Sequence, residues 1–226
     1  MTGRVVIVGA GQAGFACAAK LRHQGFDGSI VMFGDEGTAP YQRPPLSKAY
    51  LLGKLEADRL FYRTDDFYAA QDIELRVDTK VTGIDRAARA ATTNAGPVVF
   101  EHLVLATGAR PIPLPSQLID GVNSIFYLRN KADADMLRPA LHSGARILVI
   151  GGGYIGLEVA AAARQAGADV TVLEMARRIL ARVAAEPTSD HVRNLHRSHG
   201  VNIREAVGLS GLAQNGHAIT AMLTDG

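Results

Sequence analysis

Two glycine clusters, and the acidic residues that follow them, are the groups in this sequence best suited to chemistry. Gly9, Gly11 and Gly14 have the spacing G-x-G-x-x-G, with Ala13 before the third, and the acidic pair Asp35-Glu36 follows about twenty residues later. Gly151, Gly153 and Gly156 repeat that spacing, with Tyr154 and Ile155 before the last glycine and Glu174 as the following acid. In such a cluster the first glycine permits a tight turn and the second admits a pyrophosphate against the backbone. The third lets helix and strand pack closely, and the helix that begins there points its positive end at the phosphates. A carboxylate at Glu174 can accept hydrogen bonds from ribose hydroxyls but repels a 2′-phosphate. It therefore favours NADH over NADPH, a preference that Arg177 and Arg178 close behind would weaken. Two dinucleotide sites imply two cofactors, or a cofactor and a co-substrate. FAD with NADH is the chemically useful pair, because NADH delivers a hydride that flavin can accept.

Such turns need strands and helices to hold them. Arg4 to Val8 is a short β-branched run that stops at glycine, as a buried parallel strand does. Gln12 to Gln24 has helical spacing with Gly25 as its stop, and Ser29 to Phe33 is a second strand. The same order returns as Arg146 to Ile150, Tyr154 to Gln165 and Asp169 to Leu173. That repeat is too long for a solenoid and predicts two tandem Rossmann-like α/β domains. The domains are expected at residues 1–109 and 110–226, with the boundary in the proline-rich stretch Arg110 to Pro115. A proline-rich loop, Pro40 to Pro45, leads into a predicted short helix around Leu46 to Leu52. Lys80 to Asp85, Ala90 to Thr93 and Val98 to Phe100 read as a small meander, and His102 to Ala106 as a buried strand ending at Thr107-Gly108. Later, Thr188 to His199 is a predicted helix, and Val201 to Arg204 and Ala218 to Thr224 are predicted strands. Asp225-Gly226 is a hairpin-turn signal with no strand after it.

Bulk properties exclude several other classes. The 226 residues are 47% hydrophobic and 20% charged with a net charge of +2, the range of a soluble globular protein, and the basic residues are scattered rather than gathered for nucleic acid. No apolar run is long enough to cross a bilayer, and a strand beginning at Arg4 leaves no room for a secretion signal, so the expected compartment is cytoplasmic. One cysteine, Cys17, forms no internal disulfide or Cys-x-x-Cys pair, and the seven histidines have no ligand spacing, so no metal is expected. The sequence assigns no oligomeric state.

The string GDEGTAPYQRPPLSKAYL beginning at Gly34 resembles the signature of the FAD-dependent reductases that serve ferredoxin-type proteins. The similarity continues through HLVLATGARP, FYLRN and GGGYIGLEVAAAAR. It implies a glutathione-reductase-type architecture, an FAD domain interrupted by an NAD domain. By this resemblance Gly9, Gly11, Ala13 and Gly14 cradle the FAD pyrophosphate, Asp35 holds its ribose, Lys48 lies by the isoalloxazine ring, Val81 meets the adenine, and Arg129 reaches the FAD. Glu36, Thr107 and Gly108 join the cofactor-binding set, and Arg43 either orients the loop or meets the partner. The family continues into a returning FAD segment and a C-terminal domain that these 226 residues lack. The expectation is a truncated chain with an incomplete FAD domain.

Glu158 lies four residues after Tyr154, so both share one face of the second cluster's helix. In disulfide reductases of this architecture a tyrosine lids the nicotinamide pocket and a Lys–Glu pair sits by flavin N5. That makes Lys48, Glu158 and Tyr154 the candidate catalytic residues, against the alternatives of an exposed Glu158 and a core-filling Tyr154. Those reductases also carry a cysteine pair where this chain has Pro-Pro-Leu-Ser. Electrons are therefore expected to pass from flavin to an external [2Fe–2S] ferredoxin-type protein, or in a variant rubredoxin, that feeds a P450 or ring-hydroxylating oxygenase. The alternatives are an NADH oxidase or nitrite-reductase-type flavin domain, and a non-catalytic NADH-sensing flavoprotein like apoptosis-inducing factor.

Overall fold

The computed structural model describes residues 3–216 and 218–226 and divides into two compact units. The first comprises residues 1–43 and 57–110, and the second residues 44–56 and 111–226.

In the first unit β1 (Arg4–Val8) leads through Gly9 into α1 (Gln12–His23) and β2 (Ser29–Phe33). After a short helix, α2 (Asp65–Ala70), come β3 (Ile73–Arg76), the meander β4 (Val81–Asp85), β5 (Ala90–Thr93) and β6 (Gly96–Val99), and finally β7 (His102–Leu105). The main sheet is parallel throughout in the order β3-β2-β1-β7, while β4-β5-β6 is a separate antiparallel sheet. Strand alternation explains how β1 serves both faces. Val5 and Ile7 pack with Ala18 of α1, Ile30 and Tyr68, whereas Val6 and Val8 pack with Val31, Ala91 and Phe100. Each large apolar side chain so buried contributes about 1.5–3 kcal/mol.

The second unit contains α3 (Ser116–Ile119), α4 (Lys131–Leu137), β8 (Arg146–Ile150), α5 (Tyr154–Gln165), β9 (Asp169–Glu174), α6 (Glu186–Ser198) and β10 (Asn202–Glu205). It ends in the hairpin β11 (Leu209–Asn215) and β12 (Ala218–Leu223). Its three-stranded sheet is parallel in the order β10-β9-β8. Leu157, Ala160, Ala163, Val170, Val172, Ile179 and Ile203 form the core, joined by Leu51 from the early segment 44–56.

Four expectations need correction. The strand expected to be buried over His102 to Ala106 ends at Leu105 and is exposed at both ends, with Leu105 62% exposed, as the outer strand of its sheet. The helix around Leu46 to Leu52 is instead a 3-10 turn over Pro44–Ser47 followed by irregular turns. The amides of Lys48 and Tyr50 both close onto the Pro45 carbonyl, so the regular α-helical ladder does not start there. The helix expected from Thr188 begins at Glu186, with Pro187 in its first turn, where a missing N–H does no harm. The last predicted strand, expected over Ala218 to Thr224, ends at Leu223 and has an upstream partner that the sequence did not indicate. It pairs backwards with β11, across Gly216 at φ +59°.

Candidate functional site

The helices of both glycine clusters begin in the same unusual way. Gly11 is the N-cap residue of α1 and Gly153 that of α5, and neither helix has a side-chain cap or an acidic residue in its first turn. Among the other α-helices of the described residues, α4 has a full capping box between Asn130 and Asp133. α2 and α6 have no side-chain cap but carry acidic residues in the first turn, Asp65 and Asp66 in one and Glu186 in the other; only the four-residue α3 shares the bare start. A helix N-terminus carries unsatisfied N–H groups and a partial positive charge. Leaving these two bare suits an anion supplied from outside the protein.

The glycines divide into two kinds. A Cβ on Gly9 would strike the carbonyl of Ala106, one on Gly14 the carbonyl of Gly9, and one on Gly156 the carbonyl of Gly151. These three are required by the protein's own packing. Gly11, Gly151 and Gly153 face open space. At Gly11 and Gly153, whose φ is also ordinary, the sequence keeps a bare backbone that the protein does not need for itself. A pyrophosphate approaching the backbone would need it. Ala13 and Ile155 are exposed in the first turns of their helices, and Thr107 abuts the first glycine turn, its amide 3.1 Å from a Cβ built on Gly9. Gly108, at φ +70°, follows Thr107, and both are exposed.

The acids differ in how they are held. Glu174, at the end of β9, accepts the Gly152 amide on Oε2 (2.8 Å) and the Ala176 amide on Oε1 (2.7 Å), which fixes its carboxylate beside the second glycine turn. Arg178 donates to Ser189 (2.5 Å) and to the Ala181 carbonyl, so its guanidinium is engaged within the fold, while Arg177 is exposed. In the first unit Glu36 is bound by both the Tyr41 hydroxyl and Arg43, whose guanidinium also lies over the Tyr41 ring. Asp35 is half-exposed, with Arg110 at 3.9 Å, and pairs with Asp78 through the backbone. Of the acidic pair, Asp35 thus has the more accessible carboxylate. The Thr38 hydroxyl nearby is buried without a hydrogen-bond partner among the described residues. Val81, opening β4, is half-buried against the Ala91 and Phe100 cluster.

Within the second unit the segment 44–56 brings Lys48 to Glu158, with Nζ 2.7 Å from Oε2. The same oxygen accepts the Ser47 hydroxyl at 2.5 Å. Lys48 also donates to the Pro44 carbonyl at 3.2 Å. The helix positions Glu158 between buried Leu157 and Val159, and Tyr154, one turn earlier, is 57% exposed rather than filling the core. Arg129 is half-buried just ahead of α4, its amide bonded to Asp133.

A second set of contacts, invisible to sequence reasoning, fastens the same segment. The Tyr50 hydroxyl donates to Asp135 (2.6 Å), Lys131 donates to the other Asp135 oxygen (2.8 Å), and Arg138 donates to the Tyr50 carbonyl with its guanidinium over the Tyr50 ring. Burial and the bond to Asp135 push the Tyr50 phenol up, and the bond to Asp135 also raises Lys131. Burial alone would raise Asp135, but its bonds from Lys131 and Tyr50 outweigh that and hold it below its ordinary value. The raised groups stabilise the fold below their ordinary values, roughly pH 10, and that contribution is lost as pH rises through the raised ones. Asp135 stabilises it above about pH 4, and that contribution is lost as pH falls through its lowered value. We expect Tyr50→Phe with Asp135→Asn to flatten the alkaline limb of a thermal unfolding profile. An unchanged limb would show that the network does not couple to folding.

Two α/β units with bare-ended helices on glycine turns, each with an acid following the next strand, define a tandem dinucleotide-binding protein. The chain belongs to the pyridine nucleotide-disulphide oxidoreductase family, whose profile matches residues 3–226. It is 45% identical over 226 residues to putidaredoxin reductase of Pseudomonas putida, covering 98% of this chain and 54% of that protein. It is 43% identical to rhodocoxin reductase of Rhodococcus erythropolis, covering 91% and 48% respectively. The putidaredoxin reductase chain of a covalent putidaredoxin reductase–putidaredoxin complex superposes with a TM-score of 0.94 at 44% identity, covering 99% of this chain and 55% of that one. The chain thus spans about half the length of these relatives. Among the described residues no helix is long and apolar enough to cross a membrane.

Proposed function

We propose that this chain is the nucleotide-binding part of an FAD-dependent NADH:ferredoxin reductase working in the cytoplasm. The first unit would hold FAD and the second NADH, and electrons would leave to a [2Fe–2S] ferredoxin-type protein serving a P450 or ring-hydroxylating oxygenase. The observation that carries this reading is the matched pair of cradles, each a bare helix end on a glycine turn.

Bound FAD supplies an acceptor for the hydride of NADH and a donor of single electrons. The protein's part is to position and to exclude. Gly11 and the amides opening α1 would take the FAD pyrophosphate, Asp35 its ribose, and the buried Thr38 hydroxyl offers an unused hydrogen-bonding group beside them. Gly153 and the amides opening α5 would take the NADH pyrophosphate, with Glu174 on the adenosine ribose. Lys48, paired with Glu158, would stand by the flavin ring and favour its reduced, anionic form, while exposed Tyr154 would cover the nicotinamide. The turn Pro44–Ser47 contains no cysteine, and Cys17, half-buried beside the Ala18 cluster, has its thiol pushed up by burial and so away from the reactive thiolate. That favours a protein acceptor over a disulfide. The test is NADH-dependent reduction of cytochrome c through an added ferredoxin. Turnover that requires both NADH and ferredoxin supports the proposal, whereas two-electron reduction of a disulfide without ferredoxin reduction would overturn it.

A further inference from the structure

We infer that Ser47 is a positioning residue for the Lys48–Glu158 pair, and that its buried hydroxyl fixes which carboxylate oxygen the lysine takes. The inference rests on the proposed placement of that pair by the flavin and goes beyond it by assigning a role to a residue outside the pair.

The ion pair itself is weakly constrained. The Lys48 side chain is 50% exposed and that of Glu158 31%, and an ion pair open to water to this degree does little to hold two long side chains in one geometry. Ser47 differs, being only 5% exposed at the end of the 3-10 turn, next to buried Leu46. Its side chain is short, with one rotor, and its backbone is fixed by the proline turn. The hydroxyl donates to Glu158 Oε2, the oxygen that also faces Lys48 Nζ. A donor held rigidly on one carboxylate oxygen selects a single rotamer for Glu158. Oε2 is thereby committed to Ser47 and Lys48, and Oε1 has no partner among the described residues, so it is the oxygen left for a third group. The two donors are neighbours in the chain, but the acceptor comes from the middle of α5. The hydroxyl therefore also registers the 44–56 segment against that helix.

The test compares Ser47→Ala with Ser47→Thr, which keeps the hydroxyl, and uses two readouts. In the flavin-free protein, acylation of the Lys48 amine should quicken severalfold in Ser47→Ala and stay near wild type in Ser47→Thr, because a loosened Glu158 releases the amine. In the flavin-loaded protein, the limiting rate of flavin reduction by NADH should fall about tenfold in Ser47→Ala, with NADH affinity little changed. Loss of the buried hydrogen bond lowers the melting temperature in either case, but a residue of merely structural importance would leave the limiting rate of the folded fraction alone. Should alanine or threonine prevent folding, Ser47→Cys, close in size and a weak donor, is read in the same way. Lys48→Met separates the two levels of the argument. If it leaves flavin reduction unchanged, the placement of the pair by the flavin falls. If it slows reduction while Ser47→Ala alters neither Lys48 acylation nor the limiting rate, only the role of Ser47 falls.

Discussion

Gly11→Val should yield a folded protein that no longer retains FAD, whereas Gly14→Val, three residues away, should fail at folding. The contrast follows from what each backbone position faces. A side chain on Gly11 meets open space, so the sheet, α1 and their core are undisturbed. It would occupy the approach to the bare amides of α1, where the pyrophosphate is proposed to sit. A hydrogen bond to a charged group contributes about 1.5–3 kcal/mol, so blocking two of them should weaken FAD binding roughly 10²–10⁴-fold. At Gly14 the added carbon would drive into the Gly9 carbonyl and crowd Ile7, and no rotamer avoids a clash at Cβ. Helix and strand would have to separate, costing about 3 kcal/mol or more. Circular dichroism, thermal unfolding and flavin content separate the outcomes. If both variants keep their flavin, the first glycine cluster is a tight turn and nothing more.

Glu174→Ala should raise KM for NADH about ten- to a hundredfold while lowering that for NADPH. The carboxylate is held at the end of β9 by the Gly152 and Ala176 amides, each of which occupies one lone-pair direction of an oxygen and leaves others for ribose hydroxyls. Losing a hydrogen bond to a charged group gives that factor. Against NADPH the same carboxylate acts by repulsion, about 4 kcal/mol between unit charges 4 Å apart near a protein surface and less when screened by salt. Removing it therefore helps the phosphorylated coenzyme while it harms the other. Arg178 is occupied with Ser189 and the Ala181 carbonyl, so the weakening of NADH preference that its position suggested has no support from its contacts. Met175 is 81% exposed next to Glu174. Adding Met175→Arg to Glu174→Ala should carry the preference over to NADPH. Equal loss of both coenzymes in Glu174→Ala would instead mean that the carboxylate serves only the local backbone.

Much of the framework was legible in the sequence because local pattern and global burial agree there. Arg4–Val8, Ser29–Phe33 and Arg146–Ile150 are compact apolar runs ending near glycine, and Tyr154–Gln165 begins at a glycine turn, so their bounds follow from the residues. Elements held by tertiary pairing were not legible. β3 (Ile73–Arg76) alternates apolar and charged residues over four positions, too short to read, and is a strand because it lies along β2. β11 contains Ser210, Gly211, Gln214 and Asn215, a poor strand sequence that β12 holds extended. At the candidate site the glycines and their acids could be read from spacing. The attachment of residues 44–56 could not. Ser47 and Glu158 are 111 positions apart, and Tyr50 and Asp135 are 85 apart, distances that no periodicity encodes. A serine in a proline turn carries no sign of the helix it will meet.

The most direct test of the account is to mix the flavin-loaded protein with NADH in the absence of oxygen and follow the visible flavin absorbance with time. The account predicts rapid, saturable bleaching, slowed when deuterium replaces the transferred hydrogen of NADH and slowed further in Lys48→Met. A flavin that stays oxidised while NADH demonstrably binds would contradict it, leaving two nucleotide cradles and no electron transfer.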